Sequence, residues 1–330
     1  MSTLNVTNIQ HSSNSGDANI ELFSDGSTSI KNFDVTAING GQIAFRNVLI
    51  NGDVSVQERS RGSNAEYLID RWFTSNSTPD DWDSDFATFP GQEFGRYIRV
   101  GNDTGNRDVL KQPIELPAEW VGGKAGLFTE GSTWTFSFYW DSSTNAPAGP
   151  QFGFADDSGN ANAVSQDLDE LTEVTGDTTT NGWQRVSTTF TIDIEPNDDN
   201  KCAYIQWAGN GTSATGFQLE PGSKSTPFEH RPTATELAMC QRYYQVVRGG
   251  IRNDYGTGSP AAFGGPLNFF QISRVTPTIG WDTISSADST NLDVGNVSER
   301  GCMMIATGIA TAGGTNAQEW TADFMIDAEL

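Results

Sequence analysis

Alternation of apolar and polar side chains with a period of two dominates this chain. In residues 133–140 (TWTFSFYW), Trp134, Phe136, Phe138 and Trp140 fall on one side and Thr133, Thr135 and Ser137 on the other. Successive side chains of a strand point to opposite faces, so this run is a strand with one buried face. Residues 185–192 (RVSTTFTI) and 202–208 (CAYIQWA) repeat the pattern, with Val186, Phe190, Ile192, Ala203, Ile205 and Trp207 as inward positions. Strands with one buried face each, and no strand–helix–strand rhythm, predict an antiparallel jelly-roll sandwich over residues 46–232. Within it Phe217 and Leu219 alternate with Gln218 and Glu220 as a half-buried strand, ended by Pro221-Gly222.

The period then changes. Thr233 and Glu236 have capping-box spacing just after Pro232, and Leu237, Cys240 and Tyr244 fall near one helical face, which predicts a helix over 233–245. Residues 244–251, 267–272, 278–281, 303–309 and 319–326 are again strand-like, joined by Gly, Ser, Asn and Asp, and predict a second, smaller β-sandwich over 246–330. Residues 119–121 suggest a short helical turn before Gly122-Gly123. No period of 20–50 residues recurs, which argues against a solenoid.

Residues 1–45 are poor in aromatics. Residues 4–9 (LNVTNI) alternate weakly, and residues 20–33 (IELFSDGSTSIKNF) predict a hairpin around Asp25-Gly26. Leu4, Val6, Ile9, Ile20, Leu22, Phe23, Ile30 and Phe33 are too few to make a core in one chain, so this segment is expected to pack on copies of itself or on another protein. The fold class is therefore all-β in three parts: an extended N-terminal segment (1–45), a jelly roll (46–232), and a helix with a C-terminal β-sandwich (233–330).

Composition sharpens this picture. Hydrophobic residues make up 36% and charged residues 18%, so Ser, Thr, Asn, Gly and Gln must dominate the surface, while nine Trp and nineteen Phe exclude a disordered chain. The net charge of −23 repels nucleic-acid phosphates and anionic membranes, and no Lys/Arg run offsets it; neither nucleic-acid binding nor membrane insertion is expected. Cys202, Cys240 and Cys302 are odd in number without metal-like spacing, and buried free thiols are the expectation. The N-terminus has no basic-then-apolar signal pattern, so synthesis in the cytoplasm without export is expected.

Candidate chemistry is sparse. The sequence shows no Gly-x-Ser-x-Gly elbow and no zinc-like His spacing. Its two histidines, His11 and His230, lie in unlike contexts, and His230 reads as a structural loop residue, with Phe228 as a plug for the sandwich end. Among 42 acidic residues any chosen carboxylate pair is uninformative as glycosidase machinery. Residues 80–85 (DDWDSD) are the densest acidic loop: Asp81, Asp83 and Asp85 offer the oxygens a structural calcium ion takes, although the spacing is not that of an EF-hand and a solvated turn is the alternative. Trp82 inside that loop is the candidate glycan-stacking ring, or it folds back on the sandwich. Beyond possible calcium, no cofactor is expected.

Three islands add a resemblance. Residues 215–232 (TGFQLEPGSKSTPFEHRP) with 236–245 (ELAMCQRYYQ), residues 46–59 (RNVLINGDVSVQER) with 67–72 (YLIDRW), and the ending 320–330 (WTADFMIDAEL) resemble phage tail-fibre proteins of cyanophage-like type. Residues 2–10 (STLNVTNIQ) are similar to the N-terminus of many marine phage virion proteins, more loosely. At 233–235 the chain has Thr-Ala-Thr where such fibres more usually carry an aromatic residue, Gly and Glu. The resemblance implies a non-enzymatic homotrimeric fibre in the virion tail. It would hang by its N-terminus, through Leu4, Val6, Ile9, Leu22 and Phe23, from a tail adaptor or nozzle protein, and a carbohydrate-binding-like jelly roll would meet a host-surface glycan. The alternatives are a capsid-decorating fibre or knob, and a tailspike depolymerase, whose expected central β-helix the sequence lacks.

Overall fold

A computed structural model describes residues 8–9, 20–22, 28–30, 37–38, 41–42, 46–59, 67–74, 96–101, 107–116, 128–156, 163–178, 182–197, 199–253, 262–287, 289–308 and 318–329. The chain divides into two compact units, Met1–Ala44 and Phe45–Leu330. In the first, β1 (Asn8–Ile9), β2 (Ile20–Leu22) and β3 (Thr28–Ile30) form an antiparallel sheet. Ile20 pairs with Ile30 and Leu22 with Thr28; the expected turn at Asp25-Gly26 lies outside the described residues. β4 (Ala37–Ile38) and β5 (Gly41–Gln42) make a further antiparallel pair. Of the attachment positions, Ile9 lies in β1 and Leu22 in β2; Leu4, Val6 and Phe23 lie outside the described residues.

The second unit begins with a two-layer antiparallel sandwich. Its strands are β6 (Tyr67–Ile69), β7 (Trp72–Thr74), β8 (Ile98–Val100), β9 (Asp108–Glu115), β10 (Thr133–Asp141) and β11 (Ala148–Ala155). They continue with β12 (Val164–Asp167), β13 (Thr172–Thr178), β14 (Trp183–Thr191), β15 (Cys202–Gly209) and β16 (Thr212–Pro221). One sheet runs β13-β14-β10-β16-β8 and the other β12-β11-β15-β9-β7-β6, with the chain repeatedly crossing between layers as in a jelly roll. The alternating positions behave as predicted: Trp134, Phe136, Phe138, Phe190, Ile205 and Trp207 are all buried in one core, and Phe138 stacks on Trp207 with ring centroids 5.0 Å apart. The opposite faces depart from the expectation: Thr135 and Ser137 of β10 are fully buried too, and so is the polar side of β16. Gln218 and Glu220 are buried as fully as Phe217 and Leu219, because side-chain and backbone groups of Thr226–Glu229 bond to them from a loop laid over that face.

The helix α1 (Thr233–Gln241) is shorter than predicted, and β17 (Tyr244–Asn253) begins almost at once. The capping box does not form: Pro232 is the N-cap residue, and the Glu236 carboxylate is taken by Arg231 and the Asn51 N–H instead. β18 (Ala262–Asn268), β19 (Thr278–Ala287), β20 (Ser289–Ser298), β21 (Gly301–Gly308) and β22 (Gln318–Asp327) complete a second sandwich, with sheets β17-β22-β19 and β18-β21-β20. Val247, Leu267, Met304, Phe324 and Ile326 form its separate core. The run 267–272, read as a strand, leaves the sheet at Asn268, and Phe270 and Ile272 project into solvent. Cys202, Cys240 and Cys302 are buried and free, as expected. Among the described residues no helix is long and apolar enough to cross a membrane.

Candidate functional site

The stretches that carried the resemblance meet in space. Residues 47–52 thread between the sheets: Leu49 is fully buried, the Val48 N–H donates to the Leu219 carbonyl (3.0 Å), and the Phe217 N–H donates to the Gly52 carbonyl (2.8 Å). A Cβ on Gly52 would lie 2.3 Å from the Phe217 carbonyl oxygen, so only glycine permits this approach. The Gln112 amide acts as a substitute strand, accepting from the Ile50 N–H and donating to the Ile50 carbonyl, both at 2.8 Å. The Glu229 carboxylate accepts the Asn47 N–H (2.7 Å), and Glu236 accepts the Asn51 N–H and an Arg231 guanidinium N–H (both 2.8 Å). Burial raises the Glu236 pKa, against the pull of Arg231. These charges are buried and bonded to one another, so they hold the jelly roll to α1. His230, on the exposed side of this loop, sets its ring edge-on to Phe228. Phe228 packs with Tyr139 and Trp183 of the five-stranded sheet, where the sequence reading had put it at the sandwich end.

A second buried cluster joins the two sandwiches. Arg59 lies between the rings of Tyr67 and Tyr244, 4.4 and 3.9 Å from their centroids, and meets Asp327 (3.1 Å) and Glu329 (3.3 Å). Arg71, 1% exposed, pairs with Glu329, donates to the Pro113 carbonyl (2.5 Å) and lies over the Tyr243 ring at 3.5 Å. Asp70 accepts the Glu58 N–H (2.5 Å) beside Arg59 (3.9 Å), yet burial pushes its pKa up to about 6. A carboxyl whose pKa is higher folded than unfolded binds more protons in the folded state. Its contribution therefore weakens stability as the pH rises from about 4 to about 6, by on the order of 2–3 kcal/mol. The expected result is that Asp70→Asn, which keeps an acceptor for Glu58, gains stability relative to wild type as the pH is raised from 4 to 7. A difference in urea midpoint that stays flat across that range would show that Asp70 ionises normally.

Two open surfaces remain. The first is a row across the outer face of the six-stranded sheet. Strand register aligns Asp167, Gln151, Gln206, Lys111, Phe73 and Tyr67 on consecutive strands. Gln206 Nε2 donates to Gln151 Oε1 and Gln151 Nε2 to Asp167 Oδ1, each at 2.5 Å. Tyr67 and Phe73 meet edge-to-face at 5.6 Å. Asp167 is exposed, and Gln151, Gln206, Phe73 and Tyr67 are half-buried. Lys111 is buried, its ammonium 4.1 Å from the centroid of the Tyr204 ring, and burial lowers its pKa. Tyr204 in turn lies on Gly153, where a Cβ would come within 2.7 Å of the ring. The row spans roughly 24 Å at about 4.8 Å per strand, and it grades from carboxylate through amides to aromatic rings.

The second is a cleft of about 580 Å³ lined by Val48, Ile50, Pro113, Ile114, Met239 and Tyr243, with Arg242 and Glu115 among its polar residues. Glu115 accepts from Arg242 Nη2 (2.9 Å) and the Tyr243 hydroxyl (3.0 Å), and burial raises the Tyr243 pKa to about 12. The cleft is thus an apolar slot beside an ion pair.

The structure does not test the ligand-site residues predicted from sequence. Trp82, Asp81, Asp83 and Asp85 lie outside the described residues. Among the described residues no group of three or more His, Cys, Asp or Glu is placed to hold a metal ion.

No protein-family profile matches the chain. No curated protein matches it either. Among solved structures it is similar to the enzymatically active domain of tailspike protein 4 of bacteriophage CBA120, at 12% identity and a TM-score of 0.27, over 54% of this chain and 22% of that one. It is also similar to discoidin II of Dictyostelium discoideum (9% identity, TM-score 0.24, 78% and 94% of the two chains) and to a cyclase from Fischerella sp. TAU (12%, 0.23, 54% and 84%). The chain spans about a fifth of the tailspike domain. At such identities and TM-scores none of these neighbours assigns a function.

Proposed function

We propose that this chain is a non-enzymatic phage virion fibre whose jelly roll binds a host-surface glycan along the row from Asp167 to Tyr67. The row carries the reading. Sugars present hydroxyls at their edges and C–H faces above and below. Planar amides and a carboxylate in a fixed hydrogen-bonded chain suit the first, and aromatic rings suit the second. The hydrogen-bonding chain keeps unused capacity: a second N–H on each amide, the Gln206 Oε1 and the second Asp167 oxygen. The sequence resemblance supports the virion role, and the meeting of its islands in one joint is what a shared structural unit requires. Under this reading the first unit is the anchor to a tail adaptor or nozzle protein, and the fibre is a homotrimer.

A glycan array of host-surface polysaccharides tests the site. Gln151→Ala and Gln206→Ala are each expected to weaken binding about five-fold, and Phe73→Ala by a similar amount, with the far-UV circular dichroism unchanged. Binding that ignores all three substitutions would remove the row from consideration. Incubation with the bound polysaccharide is expected to release no new reducing ends. Sustained release that one Asp or Glu substitution abolishes would make the chain a depolymerase instead.

A further inference from the structure

The row presents a ligand with one open charge. Gln206 donates to Gln151 and Gln151 to Asp167, so both amides aim a donor toward β12 and the bonded chain ends on a carboxylate. Among the described residues Gln151 is the sole partner of Asp167, which is exposed and has its second oxygen free. Lys111 does not offset that charge. It is buried, with its ammonium 4.1 Å from the centroid of the Tyr204 ring. It also stands three strands from Asp167, about 14 Å away at the usual strand spacing. Salt screens exposed charges over such a distance, because the Debye length is about 8 Å at physiological ionic strength. The chain beyond Asp167 adds to its sign: Asp169, Glu170 and Glu173 are all exposed, and no Lys or Arg occurs between Lys124 and Arg185.

We propose that the row takes an amino-sugar glycan and that Asp167 selects it by pairing with a free sugar ammonium. The inference rests on the row as the glycan site and names the class of sugar it reads. An ammonium has three donors and no acceptor, which suits an exposed carboxylate whose second oxygen is open and whose first is already fixed by Gln151. An N-acetylated sugar loses that charge. A uronic acid brings a further negative charge to a chain that already has 42 acidic and 19 basic residues. Asp167 governs selectivity more than affinity. An ion pair at an exposed site contributes little, so the amides and the Phe73 and Tyr67 rings still hold a neutral sugar.

Defined tetrasaccharides test it on the full-length chain. At about pH 5.5, which keeps sugar amines protonated, the protein is titrated calorimetrically with the tetramers of glucosamine, N-acetylglucosamine and galacturonic acid. The glucosamine tetramer is expected to bind about five-fold more tightly than the N-acetylglucosamine tetramer, and the galacturonic acid tetramer most weakly. Asp167→Asn keeps an acceptor for Gln151 and removes one negative charge. It is expected to erase the preference for glucosamine and to leave N-acetylglucosamine binding within about two-fold of wild type. General attraction of a cationic sugar to a chain of net charge −23 would survive that substitution, so a preference that persists in Asp167→Asn overturns the inference. Galacturonic acid binding as tightly as glucosamine overturns it too. Either result leaves the row standing so long as Gln151→Ala still weakens binding. If no tetramer responds to Gln151→Ala, the row itself fails and the inference falls with it.

Discussion

Asn51→Ala is expected to cost on the order of 4–6 kcal/mol and to leave the second unit close to unfolded at room temperature. Asn51 is fully buried, and its side chain makes three bonds to backbone: Oδ1 accepts the Val56 N–H (2.9 Å), and Nδ2 donates to the carbonyls of Val56 (2.9 Å) and Asp70 (3.0 Å). Alanine strands all three partners, each at about 1–3 kcal/mol. Asn51 also has φ +56°, a left-handed conformation that asparagine tolerates and alanine resists by about 1 kcal/mol. Its own backbone stays engaged with Glu236 and the Trp72 indole, so the strain cannot relax by a local shift. Native domains have only about 5–15 kcal/mol in total. Urea denaturation followed by tryptophan fluorescence measures the loss; a shift under about 1 kcal/mol would show that water replaces the side chain and that the joint is looser than drawn.

Asn51 also illustrates what the sequence discloses. Period-two alternation located β10, β14, β15 and β16, because residues such as Trp134, Phe136 and Phe138 must face the same way to be buried together. It did not locate β7, β9 and β11, which add Trp72, Leu110, Ile114, Phe152 and Phe154 to the same core. Nor did it locate β20, whose inward Leu292 and Val294 are a short apolar pair among Ser, Thr, Asn, Asp and Gly; pairing with β21 forms it. Phe270 and Ile272 have strand-like spacing, but Gln245 takes the N–H groups of Phe270 and Gln271 and turns the backbone away. The spacing of Thr233 and Glu236 suits a cap, yet the distant Asn51 N–H and Arg231 bind that carboxylate. The resemblance drew attention to Asn51, Gln218 and Glu236 as strings, and only the fold shows that they form one joint. The row proposed to bind glycan was illegible for a simpler reason. Phe73, Lys111, Gln151, Asp167 and Gln206 are scattered over more than a hundred positions, and strand register alone aligns them.

Glu329→Ala is expected to be comparably severe and to act on the connection between the sandwiches. Glu329, 5% exposed at its side chain, meets Arg71 and Arg59, and those arginines belong to the jelly-roll side while Glu329 follows β22 of the C-terminal sandwich. Removing it leaves the Arg71 guanidinium buried with, among the described residues, the Pro113 carbonyl and the Tyr243 ring as partners. A buried charge that loses its counter-ion costs about 3–5 kcal/mol. Because the cost falls on the joint and spares both apolar cores, calorimetry of Glu329→Ala should resolve two melting transitions where the wild type gives one. The double replacement Arg71→Met with Glu329→Leu removes both buried charges together, and it should recover much of the loss and restore a single transition. If the double variant melts lower than Glu329→Ala alone, the ion pair contributes more than the desolvation it requires, and the two sandwiches are held together mainly by charge.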